Sequence, residues 1–332
     1  MSKPKVLSGI QPTSVPHIGN YLGALRNWQK MQEDYECYFM LVDLHAITVK
    51  QDPKALYKNT LESIAYFLGC GLDPSKSVLF LQSHVPQHAE LGWVLTCFAH
   101  MGELSRMTQY KDKTKKYTKD IPAGLFSYPT LMAADILLYQ ANFVPVGQDQ
   151  KQHLELARNL AARFNNRFDS QIFKVPDPFI EATGAKIMDL QNPEAKMSKS
   201  AENPKGVIFL NESDKDIEKK IKSAATDSGS EIRDMASLSP GLKNLFEIQI
   251  CFTGKSLEET FLAYEGKQYG YLKKDTAEIA VSSLRPIREK AQAMLADPRE
   301  LMSMLHTNAL KAREAAAKTI KQVYDALGLV PF

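Results

Sequence analysis

Apolar residues in the first 180 positions follow two patterns that alternate along the chain. Short continuous apolar runs occur at 6–7, 38–42, 78–81 and 143–146, as expected for strands that are covered on both faces. Between them lie stretches with helical spacing, the clearest of which contains Leu61, Ile64, Ala65 and Leu68. Strands that alternate with helices predict a parallel sheet with right-handed crossovers. We therefore predict an α/β fold with a doubly wound parallel sheet.

The pattern changes between residues 190 and 205. Beyond Pro204 the periodicity predicts mostly helices, over 215–225, 242–252, 275–295 and 298–327. We therefore predict two domains, an α/β domain over 1–200 and an all-helical domain over 201–332. Within the first domain, the polar and basic stretch 111–119 predicts a loop, and the prolines around 176–178 predict irregular structure.

Composition excludes some classes of protein. The 332 residues are 44% hydrophobic and 24% charged, an ordinary globular balance. No apolar run approaches the roughly eighteen residues of a membrane span. The four cysteines are scattered without a Cys-x-x-Cys pair, which predicts reduced thiols in a cytoplasmic protein rather than a zinc or disulfide site. The net charge of +3 permits a nucleic-acid partner but does not require one.

The first candidate site is the segment from Gly9 to Asn20, which joins the first strand to the first helix. Open α/β sheets bind ligands at this edge, and the free N–H groups of a helix start suit phosphate. Gly19 would let a ligand approach the backbone, while His17 and Asn20 add donors. A plain turn explains the same residue types. The segment contains neither a Gly-x-Gly-x-x-Gly motif nor a P-loop.

The second candidate site, the lysine loop, consists of Lys196, Met197, Ser198, Lys199 and Ser200. Two lysines three residues apart can close over a polyphosphate and neutralise a departing pyrophosphate. A solvated surface cluster of lysines is the alternative.

Together the two segments resemble the paired signature of class I aminoacyl-tRNA synthetases, His-Ile-Gly-Asn at 17–20 and Lys-Met-Ser-Lys-Ser at 196–200. Within that class, the chain is similar over nearly its whole length to the family of bacterial-type tryptophanyl-tRNA synthetases. The supporting segments are 8–12, 42–48, 102–109, 128–137 and 144–150. Many members of the family have threonine at position 17.

The resemblance implies a Rossmann-like catalytic domain and a helical anticodon-binding domain. It implies that ATP and L-tryptophan form tryptophanyl-adenylate and pyrophosphate, after which the tryptophanyl group is transferred to the 3′ end of tRNA(Trp). Mg²⁺ would be bound mainly through phosphate oxygens, without metal ligands from the chain. The resemblance also implies a homodimer, with the apolar helices of 88–107 as the candidate interface.

The resemblance further implies the residues that act on the nucleotide. The catalytic residues would be Gln11, Lys113, Lys196 and Lys199. The ATP-binding residues would be Gln11, Pro12, Thr13, His17, Gly19, Asn20, Gly147, Gln148, Asp149, Ile187, Lys196, Met197, Ser198, Lys199 and Ser200.

Tyr128, Met132 and Asp135 lie on one face of a predicted helix. Asp135 stands in an apolar run with no cation three or four residues away. It could be bonded to backbone or to a distant arginine, whereas the resemblance implies that it accepts the indole N–H of tryptophan. The tryptophan-binding residues implied by the resemblance are Ser8, Val42, His45, Tyr128, Met132, Asp135 and Gln150. His45 could equally be a hydrogen-bonded core histidine.

Three other functions are weighed against this one. A tyrosyl enzyme of the same fold would need polar groups for a phenol hydroxyl, and the run 131–136 offers few. A nucleotidyltransferase of the His-x-Gly-His type would lack the complete lysine loop and the large helical part. A non-catalytic RNA-binding paralogue would not need the residues of both motifs, but the sequence alone leaves it open.

Overall fold

A single parallel sheet organises the N-terminal part of the chain. The computed structural model describes residues 3–114, 120–147, 150–179, 185–199, 201 and 203–330. Within these ranges the strands are β1 Lys5–Ile10, β2 Glu36–Leu41, β3 Ser77–Leu81, β4 Phe143–Pro145 and β5 Asp177–Phe179. They lie in the order β3-β2-β1-β4-β5, and all neighbours are parallel. The predicted doubly wound parallel sheet is confirmed.

The apolar runs form the centre of this sheet. β1 and β2 pair from Lys5 with Glu36 to Ile10 with Leu41. Phe39 and Leu41 are completely buried, because helices cover the sheet. A continuous apolar run is the pattern that such two-sided burial requires.

The helices of the N-terminal part follow the predicted alternation with strands. They are α1 Ile18–Asn20, α2 Arg26–Asp34, α3 Asp43–Ala46, α4 Pro53–Gly69, α5 Gln87–Phe98, α6 Met101–Ser105, α7 Thr108–Thr114, α8 Ala123–Leu138 and α9 Lys151–Arg167. A short π-helix, Tyr21–Leu25, joins α1 to α2, and a 3-10 turn, Gln82–His84, follows β3. The start of α4 shows how local chemistry sets a boundary: Asp52 accepts the N–H of Ala55 at 2.8 Å, and Pro53 occupies the first turn.

Two local predictions are wrong. Residues 111–114 belong to α7 rather than to a loop, and 115–119 lie outside the described residues. The ring of Tyr110 packs edge-on against Phe126 of α8 at 5.3 Å, and this tertiary contact supports a helix that polar composition does not predict. The proline-rich stretch contains β5, because an edge strand tolerates Pro178, which cannot donate to a ladder.

The C-terminal part is helical, as predicted. Its helices are α10 Asp214–Lys222, α11 Pro240–Thr253, α12 Leu257–Leu262, α13 Tyr269–Ala296 and α14 Arg299–Leu327, and a 3-10 turn, Pro204–Gly206, precedes them. α12 was not predicted, although Ser256 and Glu259 form a capping box at its start. α13 packs against α4, and α14 packs against β3 and α5. Among the described helices, none has the length and apolar character needed to cross a membrane.

Candidate active site

The order of the strands identifies the edge where a ligand would bind. Chain order reverses between β1 and β4, and ligands of open α/β sheets bind at the carboxyl ends of strands beside such a reversal. The first motif leaves β1 at this edge. Gly147 follows β4 and accepts the N–H of Gln150, the residue that precedes α9.

The two motifs singled out in the sequence are in contact. The ammonium group of Lys199 donates to the carbonyl of Ser14 at 2.9 Å and to that of Gln11 at 3.4 Å. Next to this contact, His17 forms an antiparallel bridge with Phe209. The lysine loop therefore lies beside the β1–α1 segment although more than 180 residues separate them.

The start of α1 depends on three neighbouring residues, His17, Gly19 and Asn20. The Oδ1 atom of Asn20 accepts the N–H of His17 at 3.1 Å, so this side chain satisfies the backbone N–H of the residue that precedes the helix. A Cβ atom at Gly19 would lie 2.9 Å from the Cε1 atom of His17, too close for an ordinary contact. Glycine is therefore required here by the packed imidazole, a reason that the sequence did not reveal.

His17 is neutral at physiological pH. It is 4% exposed, and this burial, with the charges of Lys199 and Lys196, lowers the pKa of His17 to about 4. Its Nδ1 atom has no hydrogen-bond partner among the described residues. A buried polar atom of this kind needs a hydrogen-bond partner. The positive charges of Lys196 and Lys199 nearby favour a partner that is an anion.

Within the lysine loop, Met197 is buried and hydrogen-bonded to Ile187, whereas Lys196 and Ser198 face solvent. Met197 is 2% exposed, and its N–H donates to the carbonyl of the buried Ile187 at 3.1 Å. Lys196 and Ser198 are exposed, whereas Lys199 is half-buried. Burial lowers the pKa of Lys199 to about 8.

For the other residues predicted to bind ATP, the structure gives fewer contacts or none. Pro12 is buried, and the carbonyl of the neighbouring Thr13 accepts the side-chain amide of Asn59 at 3.0 Å. Outside the described residues lie Gln148, Asp149, Ser200 and the side chain of Lys113.

Asp135 is the centre of a buried polar cluster. It is 2% exposed. Its Oδ1 atom accepts a hydrogen bond from Gln82 Nε2 at 2.7 Å and lies 2.6 Å from His88 Nδ1. Its Oδ2 atom lies 2.9 Å from His45 Nε2. These partners come from other elements, and none of them is backbone or arginine. His45 is therefore hydrogen-bonded in the core and at the same time beside the predicted pocket.

The carboxyl group of Asp135 is ionised. Burial acts to raise the pKa of Asp135, but the hydrogen bonds and charges of His45 and His88 outweigh it, and the pKa lies below its usual value. An ionised carboxylate is an acceptor only. The cluster therefore presents an acceptor carboxylate that is held by His45, Gln82 and His88.

The remaining residues of the predicted pocket are buried or half-buried. Tyr128 is buried about two helical turns before Asp135 on α8, and its hydroxyl bonds His153 Nε2 at 2.7 Å. The ring of His45 stands edge-on to that of Tyr128. Val42 is buried at the end of β2, and three further residues are half-buried: Ser8, Met132 and Gln150.

Sequence reasoning missed Gln82, His88 and His153. A signal for the first was present, since Gln82 comes directly after β3 and so lies at the carboxyl edge of the sheet like the other site residues. His153 stands three residues after Gln150, one helical turn along α9. Among the described residues, no group of three or more His, Cys, Asp or Glu side chains could hold a metal ion.

Comparison with known proteins identifies the family. The family model described as tRNA synthetases class I (W and Y) matches residues 1–285. The tryptophanyl-tRNA synthetase of Mycoplasma pneumoniae is 36% identical, with a TM-score of 0.89 and 99% of each chain covered. The enzyme of Campylobacter jejuni, solved with ADP and tryptophan, is 38% identical, with a TM-score of 0.86, 98% of this chain and 100% of that chain covered.

A more distant likeness concerns the fold alone. The tyrosyl-tRNA synthetase of Aeropyrum pernix is 21% identical, with a TM-score of 0.66, 96% of this chain and 90% of that chain covered. The resemblance read from the two motifs is confirmed by the family match and by the similarity over the full length. The chain therefore belongs to the class I aminoacyl-tRNA synthetases of the tryptophan and tyrosine group.

Proposed function

We propose that this chain activates L-tryptophan with ATP, forming tryptophanyl-adenylate and pyrophosphate, and then transfers the tryptophanyl group to the 3′ end of tRNA(Trp). The observation that carries the choice of amino acid is the buried carboxylate of Asp135, which stands in the otherwise apolar run 131–138 of α8. The solved relatives with 36% and 38% identity, both tryptophanyl enzymes, support the same choice.

The geometry of Asp135 suits an indole N–H. A carboxylate offers about four acceptor positions, and three are used by His45, Gln82 and His88. The position that is left lies on Oδ2, the oxygen with a single partner. A phenylalanine side chain would leave that acceptor position without a donor, and an unsatisfied buried acceptor costs about 1–3 kcal/mol.

Adenylate formation needs alignment and charge stabilisation rather than a base. The tryptophan carboxylate is already a nucleophile at neutral pH, so it must be placed in line with the α-phosphorus of ATP. We assign alignment to Gln11 and to the helix start at Gly19 and Asn20. Lys196 and Lys199 stabilise the charge that develops on pyrophosphate, and Lys113 is proposed to assist them.

The proposed nucleotide site also contains His17 and the residues after β4. The unpartnered Nδ1 of the neutral His17 can donate to a phosphate oxygen. The backbone at Ile187 would contact adenine, and Asp149 the ribose. Mg²⁺ supplies positive charge to the phosphates when it is bound, held through their oxygens.

The pH dependence of adenylate formation should report Lys199. Its pKa is lowered to about 8 by burial, and lysine is charged below its pKa and neutral above it. We therefore expect kcat/KM for ATP to fall as pH rises through about 8. Lys199→Arg should keep its activity to higher pH, since a guanidinium remains charged. Identical pH profiles for the two proteins would contradict the assignment.

Exchange of radiolabelled pyrophosphate into ATP, with each amino acid tried in turn, tests the proposed function. Tryptophan should support the exchange, and tyrosine and phenylalanine should not. Exchange with tyrosine alone would show the tyrosyl enzyme instead, and no exchange with any amino acid would favour a non-catalytic paralogue.

The helical part, 201–332, is proposed to bind the anticodon region of tRNA. Among the basic residues of this part, Lys220 binds Glu212, and Arg285 and Arg288 bind Asp214. The two arginine pairs join α13 to the start of α10, while Lys219 remains exposed. Phosphate contacts by the exposed lysines predict tRNA affinity that falls with salt, and an affinity independent of salt would oppose this assignment.

A homodimer in the cytoplasm is also proposed. Trp93 of α5 and Met101 of α6 lie within the segment 88–107, the candidate interface, and are 70% and 73% exposed. A second copy of the chain would cover them. Sedimentation of the protein at micromolar concentration tests this, and a monomer would refute it. Cell fractionation tests the compartment, and recovery outside the cytoplasmic fraction would refute that part.

A further inference from the structure

Asn244 is a buried polar side chain to which the proposed chemistry assigns no role. It lies on α11 in the helical part of the chain and is 4% exposed. The next two residues, Leu245 and Phe246, are completely buried. A side-chain amide in such surroundings needs hydrogen-bond partners.

Both polar groups of this amide bind the backbone of one residue beside the lysine loop. The N–H of Met188 donates to Asn244 Oδ1 at 2.8 Å, and Asn244 Nδ2 donates to the carbonyl of Met188 at 2.9 Å. A neighbouring strand would make the same pair of bonds to a single residue. Asn244 thus takes the place of a strand on this side of Met188.

The opposite side of the same segment holds the lysine loop. The N–H of Asp189 donates to the carbonyl of Ala195 at 2.9 Å, and Met188 forms an antiparallel bridge with Lys196. Consecutive residues of an extended segment direct their backbone groups to opposite sides. Met188 therefore faces α11, and its two neighbours face the loop.

These contacts run without a break from α11 to Lys196. We propose that Asn244 is a positioning residue for adenylate formation, which fixes the backbone of Met188 and through it the place of Lys196 and Lys199 over the nucleotide. The proposal rests on the proposed function, since it acts through the role of the lysine loop. It also joins the helical part, to which tRNA binding is assigned, to the loop that carries the chemistry.

The chain offers a matched control. Asn165 on α9 is also 4% exposed. It makes the same two bonds to Phe173, accepting its N–H at 2.9 Å and donating to its carbonyl at 2.7 Å. Phe173 packs against Phe164 in the core beneath α9. The two amides differ in what they hold, which is the lysine loop in one case and a structural segment in the other.

The paired variants Asn244→Asp and Asn165→Asp test the proposal. Aspartate keeps the acceptor and loses the donor, so each variant loses one bond of its pair. In tryptophan-dependent pyrophosphate exchange, Asn244→Asp should lower kcat/KM for ATP by roughly tenfold, the effect of one buried hydrogen bond. Asn165→Asp should leave kcat/KM for ATP unchanged, although both variants should unfold at lower temperature.

A second measurement distinguishes a positioning role from general destabilisation: a positioning role changes kcat/KM for ATP but not the affinity for tryptophan. In Asn244→Asp, the Kd of tryptophan, measured by equilibrium dialysis, should stay within about twofold of the parent value. Asn244→Ser leaves space for a water that restores both bonds, so it should show a smaller loss of the same kind and carries the test if the aspartate variant does not fold.

Equal ATP kinetics in the Asn244 and Asn165 variants would overturn the proposal, as would a parallel loss of tryptophan binding. If the parent chain exchanges pyrophosphate normally and the Asn244 variants match it, the positioning role alone is refuted. A parent chain without any exchange refutes the proposed function, and this inference with it.

Discussion

Replacing Lys199 with alanine should slow adenylate formation by about 10²- to 10³-fold, the cost of removing one charge-stabilising group from a transition state. The ammonium group lies against the carbonyls of Ser14 and Gln11, within the segment that we assign to the triphosphate. We assign tryptophan binding to Asp135, whose partners are His45, Gln82 and His88 and not Lys199, so tryptophan affinity should stay near that of the unchanged chain. The loss should therefore appear in the rate and not in amino-acid binding.

Single-turnover formation of tryptophanyl-adenylate in a quenched-flow instrument measures the rate, and equilibrium dialysis measures tryptophan binding. Lys318→Ala is the matched control, because Lys318 is an exposed lysine of α14 paired only on the surface with Glu314. It should behave like the parent. Equal losses of rate and tryptophan affinity in Lys199→Ala would contradict the assigned role.

Replacing Asp135 with asparagine should reduce the preference for tryptophan over phenylalanine, measured as the ratio of kcat/KM values, by about 10²-fold or more. The amide has one acceptor oxygen where the carboxylate has two. One of the present donors, His45, Gln82 or His88, would then face an N–H group. Charge and geometry at the indole position change together, and the apolar walls alone distinguish aromatic rings of similar size poorly.

Pyrophosphate exchange with tryptophan and with phenylalanine measures this ratio. Thr130→Val is the control, since Thr130 is buried on the same helix and its hydroxyl bonds Ser127 and Thr96. The near-isosteric valine removes buried hydrogen bonds from α8 without changing the carboxylate. It should lower stability and leave the ratio intact. An unchanged ratio in Asp135→Asn would exclude Asp135 as the residue that selects the amino acid.

The sheet could be predicted from the sequence because buried faces produce a pattern of apolar residues within each strand and helix. The apolar runs at β1 to β4 and the helical spacing in α4 reflect which faces meet the core. The same reasoning failed for α7, where the contact between Tyr110 and Phe126 is tertiary. It failed for β5 because an edge strand tolerates a proline that a central strand would exclude.

The residues of the site likewise fall into those that the sequence indicated and those that it did not. Spacing marked Asp135 as an isolated acid on an apolar helix face, and the helix-start motif and the lysine loop were recognisable as short segments. The partners of Asp135 lie 47, 53 and 90 residues away. No local pattern indicates partners at such distances, since they depend on how α3, β3 and α5 are placed around α8.

By itself, therefore, the sequence determined the alternation of strands and helices, the helical C-terminal part and the two motifs, because these depend on neighbours within a few turns of the chain. Only the tertiary structure decided that Lys199 meets Ser14, that three side chains hold Asp135, and that Asn244 reaches Met188. The physical reason is that such contacts form when crossovers bring distant segments together, and burial then makes each polar group depend on the partner it finds there.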